Sequence, residues 1–284
     1  MPHTTGLQVG LVFGLVILAG CGPEKELPTT VTLTPDRDLP TLIAVPPQSN
    51  PAAAKIVDRC LAASTEGHPE RIGKAKAFRL AMKGVVIRQG VEVATIRRVD
   101  AVWPDRFVQF DEFNEGGPVR VIMGLRRPVL WARNHRDGQS TKIPVPESEQ
   151  YEAVIAAEAV GRYWMALLVP LTDPKTIVFD PKTETVDGQA VSVIKASVPG
   201  CPVFTLWFDD KTGFLGRIDF MQTEQLGSNP IAKTFILKDH RLFSGLMIPG
   251  KIGYRHNGPV VESWAVDSWD FVDKIDDIVF DAPK

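Results

Sequence analysis

Alternation of apolar and polar residues over short segments is the feature that most constrains the fold of this chain. The alternating apolar residues are Phe78, Leu80 and Met82 in one segment, Val121 and Met123 in a second, and Phe204, Leu206 and Phe208 in a third. A period of two places such side chains on one face of a β-strand. Turn signals such as Asp137-Gly138 and Asn257-Gly258 separate the segments. The pattern therefore predicts a meander of antiparallel strands that is covered on one face.

One long segment departs from the strand period. Residues 147–169 place apolar side chains, including Trp164 and Leu168, at helical spacing, and Pro170 follows. A shorter helix is predicted at 52–63, ahead of the first strand. The expected fold is mainly β with helices (α+β). Its curved antiparallel sheet has a leading helix, and the long helix lies over the concave side as a lid.

The amino-terminal segment predicts where the protein resides. Leu18-Ala19-Gly20-Cys21 closes an apolar run and has the form of a bacterial lipobox, in which the cysteine receives a diacylglycerol. The run is shorter than the roughly 20 residues that cross a bilayer, which disfavours a transmembrane helix. An ordinary secretory signal is the alternative, and no Lys or Arg occurs in the first twenty residues. We expect a signal peptide at 1–20 and lipidation at Cys21.

Residues 21–50 are rich in proline and threonine. Proline fixes φ and removes a backbone donor, so this stretch is expected to be an extended tether. Residues 51–284 then form one domain, anchored to a membrane of the cell envelope and facing the periplasm or the exterior. The sequence leaves open which membrane holds the anchor.

Composition and motifs exclude several classes of function. The net charge of −2 disfavours a nucleic-acid binder, which would carry a basic stripe. No HExxH, GxSxG, phosphate-binding loop or CxxC occurs, so we predict no enzyme, no metal and no cofactor. Cys60 and Cys201 form an even pair in a compartment that permits disulfides, and both a bridge and two free thiols remain open.

Three motifs resemble the outer-membrane lipoprotein carrier superfamily, the LolA/LolB-like proteins. They are Trp103-Pro104-Asp105-Arg106-Phe107, the stretch from Gly124 to Trp131, and Phe280-Asp281-Ala282-Pro283. The resemblance covers residues 52–284 and implies a half-barrel whose helices form a lid over an apolar cavity. Where the carrier has an arginine that locks its lid, this chain has Trp103.

The resemblance also implies a monomeric envelope lipoprotein that binds a lipid or a lipoprotein acyl chain in its concave face. The expected lining residues are Phe78, Leu80, Met82, Val121, Met123, Trp131, Trp164, Leu168, Phe204, Leu206, Phe208 and Phe220. Any β domain of this size needs such residues in its core. A non-enzymatic interaction or structural module of the envelope, without a small ligand, is therefore the alternative.

Overall fold

A computed structural model describes residues 48–146, 149–223 and 229–283, with the backbone alone for residue 150. The predicted signal peptide, Cys21 and nearly all of the tether lie outside these residues. Within them, no helix is both long and apolar enough to cross a membrane.

Most of the described chain forms strands. The strands are β1 (Ala77–Arg88), β2 (Val91–Val102), β3 (Arg106–Asn114), β4 (Pro118–Arg126), β5 (Val129–Arg136), β6 (Gln139–Ile143), β7 (Ile177–Val186), β8 (Gln189–Ser197), β9 (Phe204–Asp209), β10 (Leu215–Gln222), β11 (Ile231–Phe243), β12 (Leu246–His256) and β13 (Val260–Phe271). The helices are α1 (Pro51–Thr65) and α2 (Glu149–Ala159), with a π-helical turn at Val160–Trp164 and 3-10 turns at Pro69–Lys76, Val169–Thr172 and Asp277–Phe280.

All thirteen strands belong to one antiparallel sheet in the order β6-β5-β4-β3-β2-β1-β13-β12-β11-β10-β9-β8-β7. The first and last strands pair in the middle, and the sheet ends at β6 and β7 without closing. This open sheet with a few helices confirms the predicted α+β class.

The connection between the two edge strands runs through the concave side of the sheet. We call its buried part, residues 151–170, the central segment. Its Tyr163 bonds to Gln109 on β3, and its Gly161 lies against Phe204 on β9. The path from β3 to β9 across the sheet spans more than half of the strand order, and neighbouring strands lie about 4.8 Å apart. A helix is only about 10 Å wide, so the sheet must curl around it.

The prediction of one amphipathic lid helix over 147–169 was wrong in two respects. The α-helix ends at Ala159, a π-helical turn follows, and Leu168 has a φ of +62°. Every residue of the central segment except the half-buried Ala153 is buried. A helix that is buried all round is core rather than a cover. The segment therefore fills the sheet as a plug.

The leading helix is confirmed, and it lies against the strands at the β7 side of the sheet. The Asn50 side chain accepts the N–H groups of Ala52 and Ala53, and the Asn50 N–H donates to Val178 on the edge strand β7. Arg59 pairs with Asp210 at 2.7 Å. The helix is thus capped by Asn50 and attached to the sheet through Asn50 and Arg59.

The disulfide considered between Cys60 and Cys201 is absent, and both thiols are free. Cys60 on α1 faces Leu215 and Ser64, whereas Cys201 follows β8 and lies near Arg127. The two thiols thus have different neighbours. Burial raises the pKa of each to about 12, so neither is reactive near neutral pH.

Candidate functional site

The strand register defines the concave face. Phe78 on β1 is opposite Ala101 on β2, which is opposite Phe107 on β3, and Phe107 is opposite Leu125 on β4. The same alternation in every strand brings most predicted lining residues to this face. They are Phe78, Leu80, Met82, Val121, Met123, Phe204, Leu206, Phe208 and Phe220 from the sheet, with Trp164 and Leu168 from the central segment.

One phenylalanine from each of β9, β10 and β11 lies directly against the central segment. Phe204 and Phe235 are 0% exposed. A Cβ added to Gly161 would come within 3.0 Å of Phe235, 3.1 Å of Phe204 and 3.4 Å of Phe220. A side chain with no accessible surface borders no void that could hold even a water molecule. In this state the segment occupies the place where an acyl chain was expected.

Trp164 covers the part of the concave face around β1 by packing against aromatic side chains. Its ring meets Phe78 edge-on with centroids 6.2 Å apart, and it meets Trp103 in the same way at 5.7 Å. Trp269 also meets Phe78 edge-on, with centroids 5.2 Å apart. Trp103 therefore packs on the plug through its ring.

Trp131 corrects the predicted set, because it lies on the opposite, convex face. It is paired with Gly124, where a Cβ would approach the Trp131 ring to 2.4 Å. Its indole N–H donates to the Phe280 carbonyl oxygen at 2.9 Å. It belongs to a separate apolar cluster of Val108, Ile122, Trp131, Ile275 and Phe280. The buried Trp131 side chain therefore anchors the carboxyl-terminal segment to the sheet.

A buried charge network joins the central segment to the sheet beside β2 and β13. Arg97 is fully buried, donates to both carboxylate oxygens of Asp111 at 2.6 and 2.8 Å, and donates to Glu262 at 2.8 Å. Arg162 of the segment donates to the same Glu262 oxygen at 2.7 Å. Burial acts to raise the pKa of Glu262, but Arg162 and Arg97 outweigh it and hold that pKa below its ordinary value.

Neutral groups extend this network. Trp264 donates its indole N–H to Glu262 at 2.8 Å, and Tyr163 donates its hydroxyl to Gln109 at 2.7 Å. Gln109 in turn donates to Asp111 at 3.1 Å. The network thus covers three strands and two consecutive residues of the π-helical turn. The wider π turn lets Gly161, Arg162, Tyr163 and Trp164 all contact the sheet.

A second buried ion pair anchors α2 to β11. Lys233 is 1% exposed and contacts the equally buried Glu158 carboxylate. Desolvation lowers the pKa of Lys233 to about 7. Gln222 on β10 donates to the Val154 carbonyl oxygen at 2.9 Å. At the other side of the segment, Glu152 pairs with Arg127 in the β4–β5 turn.

Our interpretation of the sequence did not find these charges, although the strand period contains a signal for them. Arg97 is in phase with the inward Val99, and Lys233 is in phase with the inward Phe235. Glu262 likewise precedes the inward Trp264 by two residues. A charged residue in phase with the buried face of a strand is rare unless it is paired.

A shallow groove of about 540 Å³ lies on the convex face of β8 to β11. Trp207, Phe214 and His240 line it, and the Phe214 and His240 rings stack at 4.7 Å. Desolvation lowers the pKa of His240 below its ordinary value. Among the described residues, no group of three or more His, Cys, Asp or Glu side chains could hold a metal ion.

No protein-family model and no curated protein matches the chain. Several solved structures are similar to it. A LolA superfamily protein from Nitrosomonas europaea is 12% identical, with 81% of this chain and 97% of that chain covered and a TM-score of 0.45. A putative outer membrane lipoprotein-sorting protein domain from Vibrio parahaemolyticus is 11% identical over 81% and 96%, with a TM-score of 0.44. A DUF1329 family protein from Desulfovibrio piger is 8% identical over 81% and 97%, with a TM-score of 0.46. The superfamily that the sequence motifs resemble is thus represented among the structural neighbours.

Proposed function

We propose that this protein is a non-enzymatic module of the cell envelope that binds an acyl chain in the concave face of its sheet after the central segment has left it. The observation that supports this most is the identity of the plug. The concave face is filled by the connection between two edge strands of an open sheet. Its departure would expose the apolar residues of the concave face, and each CH₂ of an acyl chain buried against them would contribute about 0.8 kcal/mol.

The contacts that hold the central segment support our proposal that it has two discrete positions, one docked in the concave face and one displaced from it. Buried ion pairs add little net stability compared with apolar packing, but they specify one geometry. Among the described residues, the buried polar atoms in or beside the segment that make no hydrogen bond include Trp164 Nε1, Glu158 Oε2 and Gln222 Oε1. Each such atom costs about 1–3 kcal/mol in the docked state. The docked segment is therefore well defined and less stable than an apolar plug of the same size.

The location in the envelope rests on the lipobox at Cys21 and the proline-rich tether behind it. Cys21→Ser should move the protein from the detergent phase to the soluble fraction, and unchanged partitioning would refute the anchor.

Gly161→Leu tests the displacement of the segment. Overpacking against Phe204 and Phe235 costs about 1–3 kcal/mol in the docked state alone. We expect the Kd for a fluorescent fatty acid to fall about tenfold. Gly73→Leu is the matched control, because a Cβ there meets nothing within 4 Å.

The second candidate is an interaction module whose plug never leaves, with the convex groove around Trp207 and Phe214 as its docking surface. Under this alternative, Gly161→Leu lowers the free energy of unfolding and binds no more fatty acid than the wild type. The milder Gly161→Ala keeps the test valid if the leucine variant does not fold.

A further inference from the structure

We propose that Arg88 binds the anionic head group of an acyl ligand at the end of the concave face where β1 turns into β2. This inference rests on the proposed function, because the acyl chain needs the space that the central segment occupies. It adds the chemistry of the head group, a carboxylate or a phosphate, and the residue that recognises it.

Arg88 belongs to the inward row of β1. It follows Met82 and Val86 at the strand period, and Val86 is 0% exposed. Arg88 is the last residue of β1, and it is opposite Val91, the first residue of β2. Val91 is 63% exposed. The Arg88 side chain therefore lies at the rim, where the apolar concave face meets solvent.

An aromatic ring, rather than an acid, positions the guanidinium group of Arg88. Its Cζ lies 3.7 Å from the centroid of the Phe113 ring. The Arg88 Nε is buried and makes no hydrogen bond. Within the part of the chain that the structure describes, Arg88 forms no ion pair. Glu115 attracts it without pairing and is itself exposed.

The two buried acids that attract Arg88 already have other partners. Asp111 accepts hydrogen bonds from Arg97 through both of its oxygens. Glu262 accepts from Arg97 and from the Trp264 indole N–H, both at 2.8 Å. Desolvation outweighs the attraction of these acids and lowers the pKa of Arg88 below its ordinary value. A guanidinium group that has lost water without gaining a carboxylate favours the binding of an added anion.

The position of Arg88 fits a ligand whose chain enters the concave face. Tyr163 of the central segment donates to Gln109, which is two inward positions from Phe113 on β3. The space that the segment would leave therefore begins close to the rim. A chain whose head group is at Arg88 would run inward past Val86. The planar fork of N–H donors in arginine matches two oxygens of a carboxylate or a phosphate.

The test compares three ligands with similar alkyl chains: hexadecanoic acid, hexadecyl phosphate and methyl hexadecanoate. The full-length wild type and Gly161→Leu are titrated with each at about pH 8, where both acids are ionised and arginine keeps its charge. We expect both proteins to bind the better anion about tenfold more tightly than the ester. The tighter of the two anions identifies the head group as a carboxylate or a phosphate.

Arg88→Met removes the charge and keeps an unbranched side chain that can pack on Phe113. It should abolish the preference for anions and leave binding of the ester unchanged. Arg88→Lys repeats the test if the methionine variant does not fold, and it should lose part of the preference, since an ammonium group lacks the planar fork. Arg79→Met is the matched control, because Arg79 is on the same strand with its side chain 58% exposed. It should keep the full preference.

The outcomes separate the two proposals. Anion preference that survives in Arg88→Met, or that is lost equally in Arg79→Met, overturns the inference. Equal binding of acid, phosphate and ester by the wild type and Gly161→Leu also overturns it and leaves acyl-chain binding intact. Absence of binding for all three ligands, in both proteins, overturns the proposed function itself.

Discussion

The two faces of the same sheet are covered by two chain segments that are attached in different ways. On the convex face, the carboxyl-terminal segment packs Ile275 and Phe280 against Trp131. Its charges lie at the surface, where Asp277 pairs with Arg106 and both side chains are partly exposed. On the concave face, the central segment brings its charges into the interior.

This difference has consequences for how each segment could be displaced. An exposed ion pair contributes about 0–1 kcal/mol and is screened by salt. Removing one partner of a buried pair costs about 3–5 kcal/mol, because the other charge stays buried. The carboxyl-terminal segment is thus attached mainly by apolar contact, which is tolerant of position. The central segment is attached through buried charges, which require a fixed geometry.

Arg97→Met should produce the largest effect, because it leaves Asp111 and Glu262 buried beside fewer positive charges. We expect the free energy of unfolding to fall by about 3–5 kcal/mol, measured by urea denaturation. Arg98→Met is the control, since Arg98 is exposed on the other face of β2, and it should change stability by less than about 0.5 kcal/mol. Equal effects of the two substitutions would remove the distinction between the faces.

Trp131→Ala should lower the free energy of unfolding by about 3 kcal/mol, since the indole is only 6% exposed and anchors Phe280. Fatty-acid affinity should stay unchanged, because Trp131 is on the convex face. Trp164→Ala should alter both stability and affinity. A loss of affinity in the Trp131 variant would contradict the separation of the two faces.

Lys233 should make the concave face sensitive to pH. Its pKa in the folded state, about 7, is below the ordinary value of 10.5, so between these pH values the unfolded chain binds more protons. The wild-type free energy of unfolding should therefore rise relative to Lys233→Met as pH increases above 7, by at most about 1.4 kcal/mol per pH unit. A constant difference between pH 7 and 9 would show that the buried ammonium does not titrate there.

Asp277→Asn should have the smallest effect, below about 1 kcal/mol, since its pairs with Arg106 and Arg126 are at the surface. The difference from the wild type should vanish in 1 M NaCl, where the screening length is about 3 Å. A large effect that persists in salt would mean that the convex segment, too, depends on specific charges.

The sequence by itself determined the local elements. The period of two predicts strands such as β1 and β9, and the turn residues separate them correctly. Asp137-Gly138 adopts φ values of +51° and +76°, which asparagine, aspartate and glycine tolerate best. The helical spacing predicts α1. These features depend on contacts between near neighbours in the chain, so they can be inferred without the fold.

Only the tertiary structure decided which face of each strand lies inward and what covers it. Alternation puts Trp131 and Arg133 of β5 on one face, but both faces of this sheet are covered, so the period cannot say which face is concave. The central segment contains few polar residues, and each of Glu158, Arg162 and Tyr163 finds its partner on a strand far away in the sequence. Whether such a residue is a solvated charge or a buried anchor depends on the dielectric environment that distant strands create, and this environment exists only when the sheet has curled around the segment.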